Sequence, residues 1–416
     1  MKKILSLVAA LGVIASITSC SKDEDPIIGG SGNETGNELV NANITTNTTW
    51  TNNNIYQLQS RIIVEPGVTL TIEAGTIIKG EAGDGANATA LIVAKGAKIM
   101  AEGTSSSPII FTTDIDEIQP GEIDSPNLDE TNSGEWGGLI ILGNAPISDE
   151  SNSGTEQIEG IPGDVAMAEY GGTDPNDNSG ILRYVSIRHG GTRLGDGDEI
   201  NGLTLGGVGA GTTIDHVEIV GNLDDGIEFF GGTVNVSNLL VWAADDDGID
   251  IDQGYSGTIT NAIVVAFSGT DHGLEIDGPE GNATGSFTLT NVSVKGADDE
   301  MGNLRDGATG SINGAYFFNF VAPSFDTNGA DADGTGEGDL ELDDLTVLTY
   351  EAGDLTFDNI EVTLDAAATI AEVFPEFTQT DQDAVSEVAA GANTVGANAS
   401  VFGWTFASIR GALSDF

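Results

Sequence analysis

The sequence feature that most constrains the fold of this chain is an internal repeat with a period of 21 to 25 residues. The N-terminal part contains Val64-x-x-Gly67-x-x-Leu70, and the same pattern recurs around Gly75 and Gly96, which lie 21 residues apart. Short runs of β-branched residues interrupted by glycine are typical of strands joined by tight turns. A repeat of this length predicts a solenoid, in which each coil buries its apolar residues only against its neighbours.

The central part of the chain shows the repeat most clearly, because a recurring polar residue precedes most of its apolar i, i+2 pairs. These residues are His216, Asn238, Asn261, Asn291, Asn313 and Asn359, separated by steps of 22, 23, 30, 22 and 46, of which the last is interpreted as two coils of 23. Asparagine tolerates the left-handed backbone of a tight turn, and its side chain can bond to its copy one coil away, about 4.8 Å distant. We therefore expect a stacked asparagine ladder at a short turn between two strands.

A second series of strands runs in phase with the first, and each of its members follows a glycine. The series comprises Leu203-x-Leu205, Ile227-x-Phe229, Ile249-x-Ile251 and Leu274-x-Ile276, while Val234-x-Val236 marks a third strand within the coil. The sequence thus predicts an all-β fold, a right-handed parallel β-helix with three strands per coil and a period of about 22 to 25 residues.

The start and end of this pattern divide the chain. We expect a signal peptide over 1–19, a lipidated cysteine and flexible acidic tether over 20–48, the β-helix over 49–365 and a C-terminal capping segment over 366–416. Longer spacings predict loops at 113–135, 148–180, 190–200, 278–286 and 321–343. No amphipathic helix of useful length is expected before residue 366. The run from Trp404 to Leu413 is expected to cap the last coil, because bare strand edges promote aggregation.

The N-terminus carries the features of an export signal. Lys2 and Lys3 precede an apolar run, Ile4 to Ile17, which has the length of a signal-peptide core and is too short to span a bilayer. The sequence Ile17-Thr18-Ser19-Cys20 resembles the bacterial lipobox, and Cys20 is the only cysteine, so its expected use is lipidation. The acidic residues that follow, Ser21 to Asp25, are similar to the export signal of Bacteroidetes surface lipoproteins. This resemblance implies a protein anchored by lipid in the outer membrane and exposed at the cell surface.

The charge of the chain limits its partners. It has 66 acidic residues against 13 Lys and Arg, which gives a formal net charge of −53. Such a surface repels nucleic acid and anionic lipid, and it attracts cations or neutral partners. We therefore expect no nucleic-acid partner.

Acidic residues concentrate where the glycine-led strands begin, on three successive coils. These read Asn222-Leu223-Asp224-Asp225-Gly226-Ile227-Glu228, Asp245-Asp246-Asp247-Gly248-Ile249-Asp250 and Thr270-Asp271-His272-Gly273-Leu274-Glu275. Because the apolar residue after each glycine points inward, one outward column is expected to contain Glu228, Asp250 and Glu275, and a second column Asp225, Asp247 and His272. Carboxylates about 5 Å apart repel each other, and they relieve this repulsion by taking up protons or a hard cation.

Three interpretations of this acidic face stay open. The first is a solvated acidic ladder that holds cations loosely. The second is a Ca²⁺ site, without a twelve-residue EF-hand loop, formed by Asp224, Asp225, Asp246, Asp247 and Asp250.

The third interpretation is enzymatic. The three segments, with Asn303-Leu304-Arg305-Asp306-Gly307, resemble the polygalacturonase-type β-helix hydrolases, whose pattern is Asn-Thr-Asp, Asp-Asp, Gly-His-Gly and Arg-Ile-Lys. The resemblance implies inverting hydrolysis, with acidic roles for Asp224 or Asp225 and for the Asp246–Asp247 pair. It also implies roles for His272 as the family's histidine and Arg305 as the sugar-binding arginine.

This sequence departs from the hydrolase pattern at several positions. Leu223 replaces the threonine, Asp271 replaces the glycine before His272, and no lysine follows Arg305. The acidic face would also repel polygalacturonate, so the implied substrate is a neutral or weakly charged polysaccharide. Pectate-type lyases need a basic residue beside Ca²⁺, and the central coils contain no dense basic cluster, only Arg183, Arg188, Arg193, Lys295 and Arg305.

Trp136, in the glycine-rich segment Gly134–Gly143, has two interpretations: it packs on the flank of the β-helix, or it stacks on a sugar. Taken together, the residues favour a surface-anchored, largely non-enzymatic β-helix whose loops and acidic face bind glycan, a metal ion (Ca²⁺ being the candidate) or a partner protein. The alternatives are the polygalacturonase-like hydrolase and an accessory lipoprotein of an outer-membrane transporter.

Overall fold

A computed structural model of the chain describes residues 36–83, 88–163, 165, 167–192, 200–296, 300–323 and 338–416. Within these residues the chain winds through two large sheets of parallel strands. The fold is a right-handed parallel β-helix, and the predicted fold class is confirmed. The predicted signal peptide and Cys20 lie outside the described residues.

One wall of the β-helix is a nine-stranded sheet with one strand from each successive coil. Its strands are Arg61–Val64, Ala90–Val93, Leu139–Leu142, Leu203–Gly206, Ile227–Phe230, Ile249–Asp252, Leu274–Asp277, Gly302–Arg305 and Leu340–Leu342. Inward residues such as Ile227, Ile249 and Leu274 are buried in the main core.

The other two walls belong to a sixteen-stranded sheet. Six long strands cross both walls, namely Gly180–Arg188, Thr213–Asn222, Asn235–Ala244, Thr258–Val265, Phe287–Lys295 and Gly310–Phe318. The shorter strands are Gly36–Val40, Thr48–Trp50, Asn54–Leu58, Thr69–Ile72, Ile77–Gly80, Lys98–Glu102, Ile109–Thr113, Leu355–Asp358, Glu361–Thr363 and Ser386–Glu387. Together with the nine-stranded sheet, they give the predicted three strands per coil.

A single left-handed residue forms the corner between these two walls. The corner residues have φ between 48° and 75°, and they are Tyr184, His216, Asn238, Asn261, Asn291, Gly314 and Asn359. Nδ2 of Asn261 donates to Oδ1 of Asn238 at 2.8 Å, as expected for an asparagine ladder. The prediction is wrong by one residue at Asn313, because the strand register pairs Val292 with Ala315 and thus places Gly314 at the corner.

Close packing explains the glycine that precedes the central strands of the nine-stranded sheet. A Cβ atom on Gly226, Gly248 or Gly273 would lie 2.3 to 2.5 Å from a valine Cγ1 on the opposite wall. Such contacts are far shorter than van der Waals distance, so a larger residue would force the walls apart.

The boundaries of the coils differ from the prediction at both ends. Gly36–Val40 pairs in parallel with Asn54–Leu58, so strand pairing begins inside the segment predicted to be a flexible tether over 20–48. Near the other end, Tyr316 pairs directly with Glu361. The 46-residue step is therefore one coil with an insertion, and not two coils.

That insertion contains a helix that the sequence analysis did not predict, Asp344–Ala352. The Asp343 side chain caps its N-terminus by accepting the N–H of Thr346, and Gly353 ends it with φ of 78°. Shorter helices follow at Ile370–Val373, Gln379–Gln382 and Phe406–Arg410, with a 3-10 helix at Ala399–Phe402. None of the helices in the described part of the chain is long and apolar enough to cross a membrane.

The predicted capping segment, 366–416, has two parts. Val373, Phe374 and Phe377 join the main core at the last coils, as a cap does. Residues 397–416, which we call the C-terminal strap, instead run back along the outside of the sixteen-stranded sheet. There Phe402 and Phe406 cover Leu240 and Trp242, so the prediction that Trp404 to Leu413 caps the last coil is wrong.

The outer face of the nine-stranded sheet changes character along its length. Toward the N-terminus it is apolar and is covered by a loop that contains the antiparallel ribbon Glu156–Gln157 and Glu169–Tyr170. Beyond this loop the outward positions are occupied by Glu228, Asp250 and Glu275, and the candidate site lies here.

Candidate functional site

The predicted outward column is present in the structure. Glu228 pairs with Asp250, and Asp250 pairs with Glu275, on strands that align residue by residue. Glu228 and Asp250 are nevertheless buried, with 7% and 8% of their surface exposed.

The second predicted column is also present, at the turn before these strands. Oδ1 of Asp225 accepts the backbone N–H of Asp247 at 2.9 Å, and Oδ1 of Asp247 accepts the backbone N–H of His272 at 2.8 Å. These side-chain to backbone bonds connect successive coils and hold the column in register.

The first column, together with Asp225 of the second, borders an open cleft of about 350 Å³, which we call the acidic groove. Its lining residues are Glu159, Asp224, Asp225, Glu228, Phe230, Asp246, Asp250, Asp252, Glu275, Asp277 and Arg305. Arg305 is the single basic residue among them, and its guanidinium lies 2.6 Å from both Glu275 and Asp277. The groove therefore has a large excess of negative charge.

Burial places these carboxylates under electrostatic stress. It raises the pKa of Asp225, Glu228 and Asp250 well above the ordinary range, and repulsion from neighbouring carboxylates raises it further. Burial also raises the pKa of Asp252 to about 7, although a backbone hydrogen bond from Gln253 opposes the shift. A proton or a cation would relieve this stress.

Two groups of three carboxylates in the groove have ligand atoms within 4.8 Å of one another. One group is Asp224, Asp225 and Asp246, and the other is Asp225, Glu228 and Asp250. Four of the five residues predicted to bind Ca²⁺ thus lie in these groups, which share Asp225. Glu228 was not in the predicted set.

Asp247, the fifth predicted ligand, faces His272 instead. The imidazole lies with Nδ1 2.7 Å from Oδ1 of Asp247 and Nε2 3.3 Å from Oε2 of Glu300. Burial by itself lowers the pKa of His272, but these two carboxylates outweigh it and raise the pKa to about 11. Burial raises the pKa of Asp247, and a hydrogen bond with Glu275 raises it further, against the opposite effect of His272.

Sequence reasoning did not single out Glu300. The register pairs His272 with Glu300, so Glu300 continues the column of Asp225, Asp247 and His272 by one coil. Met301 occupies the position where the earlier coils have glycine, so the glycine pattern used to align the coils does not extend to Glu300.

The structure brings together two of the acidic residues suggested by the hydrolase resemblance. Ligand oxygens of Asp225 and Asp246 lie within 4.8 Å of each other. His272 and Arg305 are both held by carboxylates of the chain itself.

Trp136 is fully buried, and its Nε1 donates to the carbonyl oxygen of Arg188 at 2.8 Å. Its ring lies parallel to that of Phe111, with the ring centres 6.5 Å apart. The indole has no face open to a sugar, so the packing interpretation is correct and the stacking interpretation is wrong.

The coils and the acidic groove together define the chain as a parallel β-helix protein with a carboxylate-rich outer face. It belongs to the family described as pectate-lyase like beta helix domain, whose model matches residues 42–406. Neither a curated protein nor a solved structure matched the chain.

Proposed function

We propose that this chain is an exported, lipid-anchored β-helix protein whose acidic groove binds a hard divalent cation, with Ca²⁺ as the ion that fits best. The observation that carries the proposal is the pair of three-carboxylate groups that share Asp225. Ca²⁺ takes six to eight oxygen ligands, and carboxylates that bind through one or two oxygens supply them.

The cation would supply the countercharge that the groove lacks. Glu228 and Asp250 are buried, and the single arginine of the groove is already paired with Glu275 and Asp277. Because these carboxylates repel one another at close range, the free energy of a bound cation includes the relief of that repulsion. A bound ion could also bridge to the hydroxyls or carboxylates of a glycan, or to a partner protein.

The test is thermal unfolding in Ca²⁺ and in EDTA, together with calorimetric titration of Ca²⁺. Binding to the folded state alone raises stability by mass action, by about 2.7 kcal/mol at a hundredfold excess over the dissociation constant. Asp225→Asn removes the residue shared by both groups, and we expect it to abolish the Ca²⁺-dependent shift. Glu117→Gln, at an exposed position outside the groove, is the matched control and is expected to keep the shift.

Calcium titration that gives no heat and no shift in the melting temperature of the unaltered protein would overturn the proposed site. An equal shift in Asp225→Asn and in Glu117→Gln would show that Ca²⁺ binds elsewhere on the acidic surface.

The lipid anchor is a separate part of the proposal and rests on the N-terminal sequence. Labelling with a fatty-acid analogue in a bacterial host is expected to modify the protein, and Cys20→Ala is expected to abolish the modification. Surface placement predicts that protease added to whole cells digests the protein. Co-purification of an outer-membrane barrel protein would support the role as an accessory lipoprotein of a transporter.

A further inference from the structure

A second constellation adjoins the acidic groove and differs from it chemically, because it contains a nitrogen donor. The ligand atoms of Asp247, His272 and Glu275 lie within 4.8 Å of one another. Asp247 and His272 are buried, while Glu275 faces the groove, where Nη1 of Arg305 contacts it at 2.6 Å.

Glu300 supplies an independent observation on the other side of the imidazole. Its side chain is more than nine-tenths buried and is directed at Nε2 of His272, 3.3 Å from Oε2. Within the described chain, however, Oε2 of Glu300 accepts no hydrogen bond of acceptable geometry. The contact is therefore an ion pair between the imidazole and a buried carboxylate, which fixes the side of the ring that carries Nε2.

This arrangement matches the way proteins hold a metal-binding histidine. One ring nitrogen binds the metal, and the other donates its N–H to a carboxylate that orients the ring. Here Nδ1 faces Asp247 and Nε2 faces Glu300, so a metal on Nδ1 would leave the Nε2 proton for Glu300.

We infer that Asp247, His272 and Glu275 form a transition-metal site, for an ion such as Zn²⁺, with Glu300 as the positioning residue. Imidazole nitrogen suits Zn²⁺ and its neighbours, whereas Ca²⁺ prefers oxygen ligands only. The inference goes beyond the proposed Ca²⁺ function and does not depend on it, because the three ligands differ from both groups in the groove. Metal binding displaces the proton from Nδ1, which leaves to solvent.

The test titrates the full chain with Co²⁺ and Zn²⁺ in saturating Ca²⁺. We expect a visible Co²⁺ absorption band at one ion per chain, displaced by Zn²⁺ with release of protons. His272→Gln is expected to abolish the band. Glu300→Gln is expected to weaken Zn²⁺ binding about 10- to 100-fold, as for other residues that orient a metal ligand.

His216→Gln is the matched control. Nδ1 of His216 also lies 2.7 Å from an aspartate, Asp215, but this pair belongs to no group of three ligands found among the described residues. The His216→Gln variant is therefore expected to keep the Co²⁺ band unchanged. If His272→Gln fails to fold, Glu275→Gln decides instead, because its side chain lies at the surface of the groove.

A Co²⁺ band that survives in His272→Gln or Glu275→Gln, or that Ca²⁺ abolishes, would overturn the inference. Asp224→Asn separates the two sites, since it is expected to weaken Ca²⁺ binding and to leave the Co²⁺ band intact.

Discussion

The C-terminal strap depends on a buried carboxylate, and Glu218→Gln tests that dependence. Oε1 of Glu218 accepts the N–H of Ala407 at 2.8 Å. Oε2 accepts the Ser186 hydroxyl at 2.6 Å and the N–H of Phe406 at 3.2 Å. Glutamine has the same shape but replaces one oxygen with an NH₂ donor. Whichever oxygen is replaced, at least one N–H of the strap then faces another donor.

The expected cost follows from this count of hydrogen bonds. A hydrogen bond to a charged group contributes about 1.5 to 3 kcal/mol, and each 1.4 kcal/mol changes an equilibrium about tenfold. We therefore expect the strap to open about 10 to 150 times more often in the variant. Arg188 adds to the cost, because its buried guanidinium lies 3.9 Å from the Glu218 carboxylate and would lose that countercharge.

Hydrogen exchange measured by mass spectrometry is the assay, with peptides that cover the strap. Faster deuterium uptake is expected in 397–416, with little change in the central coils. Glu102→Gln is the control, because Glu102 forms a half-exposed ion pair with Arg183 and such pairs contribute about 1 kcal/mol or less. Unchanged exchange of the strap in Glu218→Gln would refute the reasoning and show that the other contacts of the strap suffice to hold it closed.

Three further predictions concern stability. In EDTA the melting temperature is expected to fall as pH rises toward and through 7. Burial raises the pKa of Asp252 to about 7, so the folded state holds that proton more tightly than the unfolded chain does. Asp252→Asn should flatten the plot of melting temperature against pH, and an identical plot for the variant would contradict this. Gly248→Ala places a Cβ 2.5 Å from Cγ1 of Val264 and is expected to cost about 1 to 3 kcal/mol in urea unfolding. Adding Val264→Ala should recover part of that cost, whereas simple additivity would argue against the contact. Trp136→Ala is expected to lower the unfolding free energy by about 3 to 5 kcal/mol, and a loss below about 1 kcal/mol would contradict its burial.

The register of the coils could be predicted from sequence because one physical requirement recurs in every coil. Gly226, Gly248 and Gly273 fit beneath valines of the opposite wall, and this common position aligned the acidic residues around them. The stacking of Asp225, Asp247 and His272 followed from the same alignment. Prediction worked here because neighbouring coils contact each other at a fixed sequence spacing.

Features outside the repeat could not be predicted in the same way. The helix Asp344–Ala352 is short and lacks a regular apolar stripe, although its caps at Asp343 and Gly353 are readable in the sequence. Met301 breaks the glycine series and concealed Glu300, without which the surroundings of His272 are incomplete.

Ala407 of the strap binds Glu218, which lies nearly 190 positions earlier in the chain, so local sequence patterns carry little information about the path of the strap. One signal was available, however. The run Leu239-Leu240-Val241-Trp242 is apolar on both faces of its strand, which indicates that something covers the outer face as well as the inner one.

The path of the strap affects the order in which the chain can mature. Its anchors include Asn261 and Ser293 near its start, Glu218 farther back, and Asp124 and Leu128 in a loop from an early coil. On the ribosome the N-terminal coils emerge and assemble first, yet Leu240 and Trp242 stay uncovered until residues 397–416 have been synthesised and can fold back over them. Until the strap closes, these side chains can contact other apolar surfaces, and closure of the strap ends that exposure.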